Sequence, residues 1–585
     1  MLFPISARAL LDKTIRAAEI AGRGWERRCA LLLLAAIGRK EALTDFRLYF
    51  QSMGIAKSGI AMSFAGKGAR GLFWLAIVLA ALPYSAAQEK GSRDKVDFRQ
   101  ARFRARVEGL LGAAPVDKGE WGLLVEDAET GETLYEKNSN EYFLPASNMK
   151  LLTTALALDA LGPEYRFRTT VETNGILATD GRLSGDLILV GRGDPNLSNR
   201  KFPYETKEEF EGPPEKALAE LADAVQARGV KEITGDVVGD DSYFPRERYP
   251  DGWEIDDMVW EYGAAISAIV VDDNTVTLTL TPGEKAAGAV TAVVEPTTRE
   301  FVVENEVTTI GAKEKPDLRL TREPGGGTAV VSGVMPAGSA PRKLVLAVQE
   351  PALHAANLLA ELLLDRGIKL GGTVRAVHEP DTGEAARTVL AEHVSVPLKD
   401  SVKLVNKISQ NLHTEVLLRT AARQQGRWAT PEDLQKFPEA FYAKARIPLG
   451  DVIQTDGSGL SRQDLVTPRA FVALLAYAQK QVWFPAFLLS LPVAGADGTL
   501  NERMKEPPLA GKIHAKTGSV THVRTLSGYA ETPGGRKLIF SFLSNNQGAK
   551  NHEVHAAIDG VCLAMMEEFD EKREGAKPAS NEAIK

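Results

Sequence analysis

The sequence predicts an α+β fold, in which an antiparallel sheet flanked by helices carries a large inserted α+β region. Three observations lead to this prediction. A helical apolar pattern follows Ser147, strand-like runs lie between residues 516 and 543, and Ser409 lies 262 positions after Ser147. The interval between the two serines mixes strand-like and helical segments and is longer than one small domain needs. We therefore expect one or two inserted domains, the second nested in the first.

The composition is that of an ordinary globular protein that can bury a large core. Of the 585 residues, 44% are hydrophobic and 25% are charged, and the formal net charge is −7. A mildly acidic chain without a stripe of Lys and Arg is not typical of nucleic-acid-binding proteins, so no nucleic-acid partner is expected. The two cysteines, Cys29 and Cys562, support no disulfide framework. The sequence gives no basis for an oligomeric state.

An export signal is predicted at residues 62–87. Basic residues precede an apolar run over 72–82, and small residues ending at Ala87 follow it. This order is typical of a cleaved signal peptide, and the run is shorter than the ~20 residues of a membrane-spanning helix, which is the alternative. We therefore expect translation to start at Met62 and residues 1–61 to be a non-native extension. The mature protein is expected in the periplasm or otherwise exported, soluble or loosely attached to the wall or membrane.

Residues 98–172 are predicted to form the first part of the main domain. Strand-like runs over 121–137 surround a Glu-Thr-Gly turn and indicate a hairpin. The helix that follows Ser147 ends at the glycine–proline pair 162–163, as is usual at a helix C-terminus. The inserted domains are expected over 173–384, where strand and helix patterns occur at 187–190, 215–228, 276–280, 290–294, 344–348 and 352–366.

Residues 385–570 are predicted to complete the main domain. Helical patterns cover 411–422, 467–479 and 553–569. Strand-like runs over 516–529 and 537–543 flank a Pro-Gly-Gly turn and predict one antiparallel hairpin, with Lys-Thr-Gly at the start of its first arm. The charged, proline-containing tail over 571–585 is expected to be disordered.

Three short motifs occur in order along the chain and hold polar groups suited to acyl transfer. They fit the patterns SxxK, SxN and KTG and are Ser147-Asn148-Met149-Lys150, Ser409-Gln410-Asn411 and Lys516-Thr517-Gly518. Such a set supplies a serine nucleophile, an amine that can act as its base, and further donors around the reacting carbonyl. Each motif alone is weak evidence, because residues 92–95 and 198–201 also fit SxxK and residues 544–546 also fit SxN.

The context of the first motif distinguishes it from its rivals. Ser147 lies at the predicted start of a helix, so Lys150 follows one turn later on the same face and can reach the hydroxyl. The unpaired N–H groups at a helix N-terminus can also stabilise a developing oxyanion. Ser92 lies among charged residues, and Ser198 lies in a loop rich in Gly, Asp, Pro and Asn. We therefore assign the nucleophile to Ser147 and its base to Lys150.

Longer segments add to the three motifs and resemble a known family. They include Gly-Asp-Pro at 193–195, Tyr-Gly-Ala at 262–264, Asp-Gly-Ser-Gly-Leu-Ser-Arg at 456–462 and Leu-Pro-Val-Ala-Gly at 491–495. Over about residues 98–570 the chain resembles the class C low-molecular-mass penicillin-binding proteins, the D-Ala-D-Ala carboxypeptidases and endopeptidases. The resemblance implies a transpeptidase domain of the penicillin-binding and serine β-lactamase type. It also implies a two-domain insertion between SxxK and SxN.

The resemblance implies a role for each residue that takes part in bond making and breaking. Ser147 would be acylated, Lys150 in its neutral form would take the serine proton, and Ser409 would relay a proton to the leaving amine. The backbone N–H groups of Ser147 and Ser519 would form the oxyanion hole. Gly518 would allow the substrate to approach the strand closely.

The remaining motif residues would bind the substrate. By the same resemblance, Asn411 binds the backbone amide, and Lys516 and Thr517 hold the terminal carboxylate of D-Ala or of penicillin. Two neighbouring lysines disfavour each other's charge, and the one with less solvent loses its proton first. We expect this to be Lys150, with Lys516 charged and facing the substrate cleft.

The expected function is that of a serine-type D-Ala-D-Ala carboxypeptidase and D,D-endopeptidase. Its substrates would be peptidoglycan stem peptides and cross-links, and β-lactam antibiotics such as penicillin would bind it covalently. A serine β-lactamase or esterase of the same fold is an alternative, because a sequence does not show whether water reaches the acyl-enzyme. A catalytically idle wall-binding protein is the alternative from another class, but it would have no need of Lys150 or Lys516. No cofactor and no metal are expected.

Overall fold

A computed structural model of the chain describes residues 98–297, 301–323, 325–380 and 386–570. The predicted extension (1–61), the predicted signal peptide (62–87) and the predicted tail (571–585) lie outside these residues and stay predictions. Among the described residues, no helix has both the length and the apolar composition needed to cross a membrane.

A five-stranded antiparallel sheet forms the centre of the main domain. In spatial order its strands are Thr133–Lys137, Glu120–Asp127, Lys537–Asn545, Val523–Glu531 and Ile513–Val520. The hairpin predicted at 121–137 is confirmed. The single first arm predicted at 516–529 is wrong, because the chain reverses at Thr521 and His522 and forms two strands. The strand that carries Lys516 is therefore the edge of the sheet.

Helices cover both faces of this sheet because its strands are apolar on both sides. Successive side chains of a strand alternate between faces, so Leu124 and Leu543 join one apolar cluster, whereas Leu123 and Phe542 join the other. The first cluster includes residues of the helices Met149–Leu161, Leu398–Ile408, Asn411–Gln424, Pro431–Lys436, Glu439–Lys444, Pro468–Ala478 and Phe484–Ser490. The second includes residues of Asn551–Glu568 and of a helix over 98–111, which the sequence does not predict.

The interval between the Ser147 helix and Ser409 contains a sheet with its own helices and its own apolar cluster. The sheet is mixed and five-stranded, in the spatial order Val374–Val377, Val237–Asp240, Leu187–Val190, Arg168–Thr173 and Thr388–Val394. Its cluster includes the helices Lys216–Ala227 and Pro351–Asp365. A smaller sheet has the strands Lys369–Leu370, Glu232–Ile233, Arg182–Ser184 and Ile176–Leu177, and a two-stranded ladder joins Asp194–Leu197 to Ile269–Val271.

A β-rich segment is nested within this insert, between residues 275 and 347. It consists of two three-stranded sheets that share an apolar cluster. The strands of the first are Thr291–Glu295, Thr275–Thr281 and Arg342–Ala347, and those of the second are Val302–Ile310, Thr328–Pro336 and Asp317–Arg322. A last two-stranded ladder, Val452–Ile453 with Leu465–Val466, belongs to the main domain.

Strand pairing makes the insert wider than the predicted range of 173–384. Arg168–Thr173 pairs with Thr388–Val394 in the inserted sheet, so the chain enters and leaves the insert on neighbouring strands. Most of the first strand and all of the second lie in segments that the prediction gives to the main domain. Pattern alone does not show this, because the partners of a strand depend on contacts distant in sequence.

Candidate active site

The predicted nucleophile lies in a tight turn at the start of a helix. Ala146–Asn148 forms one 3₁₀ turn that leads into the helix Met149–Leu161. Ala146 has a φ of +45°, in the left-handed region that residues other than glycine rarely adopt. The turn packs on Gly459, where a Cβ atom would come within 1.8 Å of the Ala146 carbonyl oxygen. The loop that contains Gly459 therefore supports the turn that presents Ser147.

Lys150 contacts the hydroxyl of Ser147 directly. Its Nζ lies 2.8 Å from Ser147 Oγ, 2.6 Å from Asn411 Oδ1 and 2.8 Å from the Ser458 carbonyl oxygen. The last two atoms can only accept hydrogen bonds. A neutral lysine has two N–H donors, so it can satisfy both acceptors and keep its lone pair for the proton of Ser147.

Burial gives Lys150 a pKa suited to a base at neutral pH. The side chain is fully buried, and this loss of solvation lowers the pKa of the amine to about 7, although Asp456, Glu415 and Asp464 partly oppose the shift. Burial and the neighbouring Asp456 raise the pKa of Glu415 to about 7. The same two causes raise the pKa of Asp464 well above its ordinary value. The carboxyl groups near Lys150 are therefore not all charged at pH 7, and burial of the amine prevails.

The loop over 456–461 is folded around a buried carboxylate. The oxygens of Asp456 accept the backbone N–H groups of residues 458–461. Glu415 Oε1 accepts the N–H groups of residues 457 and 458, each at 2.8 Å. These bonds fix the carbonyl group that accepts from Lys150. In the sequence, only the family resemblance points to this segment. Glu415 is not predicted as part of the site, although it lies four residues after Asn411 on the same helix face.

Ser409 and Lys516 form a second pair of hydroxyl and amine. Ser409 ends the helix Leu398–Ile408 with a φ of +65°, and its Oγ lies 2.9 Å from Lys516 Nζ, which also donates to the Thr517 carbonyl oxygen at 2.8 Å. The expectation that Lys516 faces the cleft is wrong, because its side chain is as fully buried as that of Lys150. Burial and the charge of Lys150 lower the pKa of Lys516 well below its ordinary value. The expectation that Lys516 keeps its charge in the free protein is therefore wrong as well.

Asn411 links Lys150, the predicted base, to the inserted region. Its Oδ1 accepts from Lys150 and its Nδ2 donates to the Tyr262 carbonyl oxygen at 2.8 Å. Both ends of this amide are thus engaged within the protein, in addition to the substrate contact that the sequence leads us to expect. The preceding Gln410 donates from Nε2 to Asp273 Oδ2 at 3.0 Å. The SxN motif is therefore held by the insert at two residues.

The edge strand Ile513–Val520 directs backbone donors out of the sheet. In a neighbouring loop, the backbone N–H of residue 494 donates to the Ile513 carbonyl oxygen, and the Ala515 N–H donates to the carbonyl oxygen of residue 492. In an antiparallel ladder, the bonding direction of backbone groups alternates along the strand. The N–H groups of Thr517 and Ser519 therefore point to the same open edge, where an oxyanion could accept from Ser519.

Gly518 brings this strand against the nucleophile turn. A Cβ atom at residue 518 would lie 2.1 Å from Thr525 Oγ1, 2.9 Å from the Pro145 carbonyl oxygen and 3.0 Å from Ser147 N. Other atoms of the protein therefore occupy the space that a side chain at residue 518 would need. The neighbouring Thr517 turns its Oγ1 to the Thr499 Oγ1, at 2.7 Å.

The rival SxxK motif at 198–201 lacks such an arrangement. Ser92 lies outside the described residues. Lys201 of the second rival pairs with Glu209 at the surface, and Ser198 Oγ accepts the backbone N–H of Arg200. Within the described ranges, no group of three or more His, Cys, Asp or Glu side chains is arranged to hold a metal ion.

Comparison with known proteins confirms the family resemblance stated from the sequence. The model of the D-Ala-D-Ala carboxypeptidase 3 (S13) family matches residues 104–564. A D-alanyl-D-alanine carboxypeptidase of Actinomadura sp. is 33% identical over 491 residues, which cover 81% of this chain and 86% of that protein. The D-alanyl-D-alanine carboxypeptidase DacB of Haemophilus influenzae is 29% identical over 423 residues, which cover 72% of this chain and 84% of that protein.

Solved structures agree with the fold as well. The crystal structure of penicillin binding protein 4 (dacB) from Haemophilus influenzae matches with a TM-score of 0.69 and 26% identity, and covers 79% of this chain and 99% of that chain. The structure of the same protein with a β-lactam matches with a TM-score of 0.65. The fold class expected from the sequence, a penicillin-binding type of domain with a large insertion, is confirmed. The chain therefore belongs to the D-Ala-D-Ala carboxypeptidase 3 (S13) family of serine peptidases.

Proposed function

We propose that this carboxypeptidase works through an acyl-enzyme on Ser147 and acts on peptidoglycan stem peptides and their cross-links. The observation that carries the proposal is the 2.8 Å contact between Ser147 Oγ and the amine of Lys150, whose pKa burial lowers to about 7. At neutral pH about half of such an amine is uncharged, whereas a lysine of ordinary pKa is almost wholly charged. A base is therefore available beside the hydroxyl.

In acylation, Ser147 Oγ attacks the carbonyl carbon of the D-Ala–D-Ala bond while its proton passes to Lys150 Nζ. The N–H groups of Ser147 and Ser519 donate to the oxyanion that forms. The C–N bond then breaks, and the leaving amine takes a proton from Ser409 Oγ. The proton that Lys150 gained from Ser147 then restores the Ser409 hydroxyl, so Lys150 is neutral again when D-Ala departs. Lys516 orients Ser409 through its hydrogen bond.

Water then hydrolyses the ester on Ser147, and Lys150 again accepts the proton. The products are the shortened peptide, as a carboxylic acid, and the free serine. When the leaving amine belongs to a neighbouring stem peptide rather than to D-Ala, the same two steps cut a cross-link. Carboxypeptidase and endopeptidase activity thus need one set of residues.

The terminal carboxylate of the substrate is proposed to bind beside Thr517. Lys516 lies behind this residue as a buried amine, and a nearby anion raises the pKa of a lysine. Binding of the carboxylate and charging of Lys516 therefore favour each other. Asn411 borders the same site, and we assign it a contact with the backbone amide of the substrate in addition to its bond with Lys150.

Penicillin is proposed to acylate the same serine. Opening of its ring leaves the amine tethered in the site, where it obstructs the water that deacylation needs, so the adduct lasts. A serine β-lactamase or esterase on this fold differs in this step, because it admits water to the acyl-enzyme. Peptidoglycan as substrate agrees with action in the periplasm or another exported location after removal of the signal peptide.

The test compares three proteins, the wild type, Ser147→Ala and the control Ser198→Ala. Each is incubated with a peptide that ends in D-Ala-D-Ala and with a cross-linked muropeptide dimer, and the products are followed by liquid chromatography and mass spectrometry. The wild type and the control should release D-Ala and cut the dimer, and Ser147→Ala should do neither. Rapid turnover of penicillin without release of D-Ala would favour a β-lactamase, and absence of both products and adduct would favour an idle wall-binding protein.

A further inference from the structure

A cavity of about 360 Å³ lies beside the turn that follows the Lys516 strand. Its walls include Thr521 and His522 of the turn, Arg524 of the next strand, and Asn551 at the start of the last helix. Arg524 lies two residues before Leu526 on its strand, so its side chain is on the sheet face of the second apolar cluster, away from the Ser147 helix. The volume is within the range of about 300–1,000 Å³ that is usual for small-molecule sites.

Arg524 is a buried cation without an acidic partner among the described residues. Arg524 is only 8% exposed. Its Nη1 donates to the carbonyl oxygens of Val520 and Val523. Its Nε has no hydrogen-bond partner, and burial alone lowers the pKa of the guanidinium. Other buried arginines of the chain differ, since Arg419 pairs with Glu415 and Arg200 pairs with Asp273.

The groups around Arg524 do not neutralise it. The nearby Arg503 adds a second positive charge, which is taken up by its own ion pair with Asp559. Burial, Arg503 and Arg524 together lower the pKa of His555 to about 4, so this histidine is neutral at pH 7. The carboxylate of Glu553 accepts the backbone N–H of Lys550 and is engaged at the helix end.

The start of the last helix adds a favourable field for an anion. The helix Asn551–Glu568 begins at the cavity wall, and the first N–H groups of a helix have no partner within it. Two independent features therefore lie at the wall of this cavity, a buried arginine without an acidic partner among the described residues and the N-terminal end of a long helix.

We propose that this cavity is a second ligand site, which binds an oxyanion through Arg524. The ligand chemistry is a carboxylate or a phosphate group, because both present oxygen pairs that match the fork of a guanidinium. The site is separate from the Ser147 centre, since none of the catalytic residues lines it. A carboxylate would come from a peptide such as a peptidoglycan stem peptide. A phosphate would come from a phosphorylated component of the cell wall or of a lipid.

The test measures binding of inorganic phosphate and of succinate to the purified protein by isothermal titration calorimetry. We expect one saturable site per chain for at least one probe. Arg524→Gln should weaken that binding by about 10- to 100-fold, the effect of losing a charge-assisted hydrogen bond. Arg524→Lys, which keeps the cation, should retain more of the binding than Arg524→Gln and serves if the glutamine variant does not fold.

Two matched controls locate the site. Arg469→Gln removes the same charge from an arginine that pairs with Glu136, and Thr517→Val alters the proposed carboxylate position of the catalytic centre. Binding of phosphate should be unchanged in both, and binding of succinate should be unchanged in Arg469→Gln. Stronger binding of phosphate assigns a phosphate-bearing ligand, and stronger binding of succinate assigns a carboxylate. Absence of saturable binding by both probes, or equal binding by wild type and the Arg524 variants, would overturn the proposal.

Discussion

Acylation of Ser147 should slow as the pH falls below 7, because Lys150 must be neutral to accept the serine proton. Burial lowers the pKa of this lysine from 10.5 to about 7. The difference corresponds to about 5 kcal/mol against the charged form. The rate should therefore rise with pH through about 7 and then level off.

The magnitude follows from the fraction of neutral amine. With a pKa near 7, about three quarters of Lys150 is neutral at pH 7.5 and about 3% at pH 5.5, so acylation should fall roughly 25-fold between the two. A lysine of ordinary pKa would be about 0.1% neutral at pH 7.5. The buried position thus supplies several hundred times more of the reactive form, which is about the size of effect that a general base contributes.

The assay is the rate of covalent labelling by a fluorescent penicillin, measured by stopped flow from pH 5 to 9. Labelling of the denatured protein and integrity of the penicillin at each pH are the controls. A rate that is independent of pH over this range would refute the assignment of Lys150 as the base. So would an acid limb centred far below pH 6, because the burial of Lys150 lowers its pKa only to about 7.

Three further variants test the site. Glu415→Gln removes a carboxylate that raises the pKa of Lys150, so the acid limb of the pH profile should move to lower pH; a shift upwards would contradict this. Lys516→Ala should slow acylation by carboxylate-bearing substrates more than by matched esters, and equal slowing would exclude a role in carboxylate binding. Gly518→Ala would place a Cβ 2.1 Å from a threonine oxygen and press on the nucleophile turn, so labelling should fall by at least tenfold. The control Gly109→Ala, in a helix with open space, should leave labelling unchanged and stabilise the protein by up to ~1 kcal/mol.

The sequence predicts those parts of the site in which the determining contact is local. Ser147 and Lys150 are one turn apart on a helix, so their spacing alone brings the hydroxyl and amine together, at 2.8 Å. The helix after Ser147 also ends at Gly162, where φ is +81°, as the glycine–proline signal indicates. Patterns of this kind depend on a few neighbouring residues, so contacts elsewhere in the fold do not change the local structure that they predict.

Contacts between segments that are distant in the sequence cannot be predicted from such local patterns. The burial of Lys516 depends on how the edge strand packs beneath Ser409, and nothing in the Lys-Thr-Gly pattern encodes this. The bond between Asn411 and the Tyr262 carbonyl joins residues 149 positions apart. The sequence does not predict the reversal at Thr521 and His522, because neither residue is common in turns. In the structure His522 adopts a φ of +63°.

The central claim, that Ser147 is the acylated residue, is tested most directly by locating the penicillin adduct. The wild type and Ser147→Ala are incubated with penicillin, digested with a protease and examined by tandem mass spectrometry. The account predicts one adduct, on the peptide that contains Ser147, and none in the variant, which should keep its folded circular-dichroism spectrum. An adduct on Ser92 or Ser198, or an adduct that persists in Ser147→Ala, would contradict it.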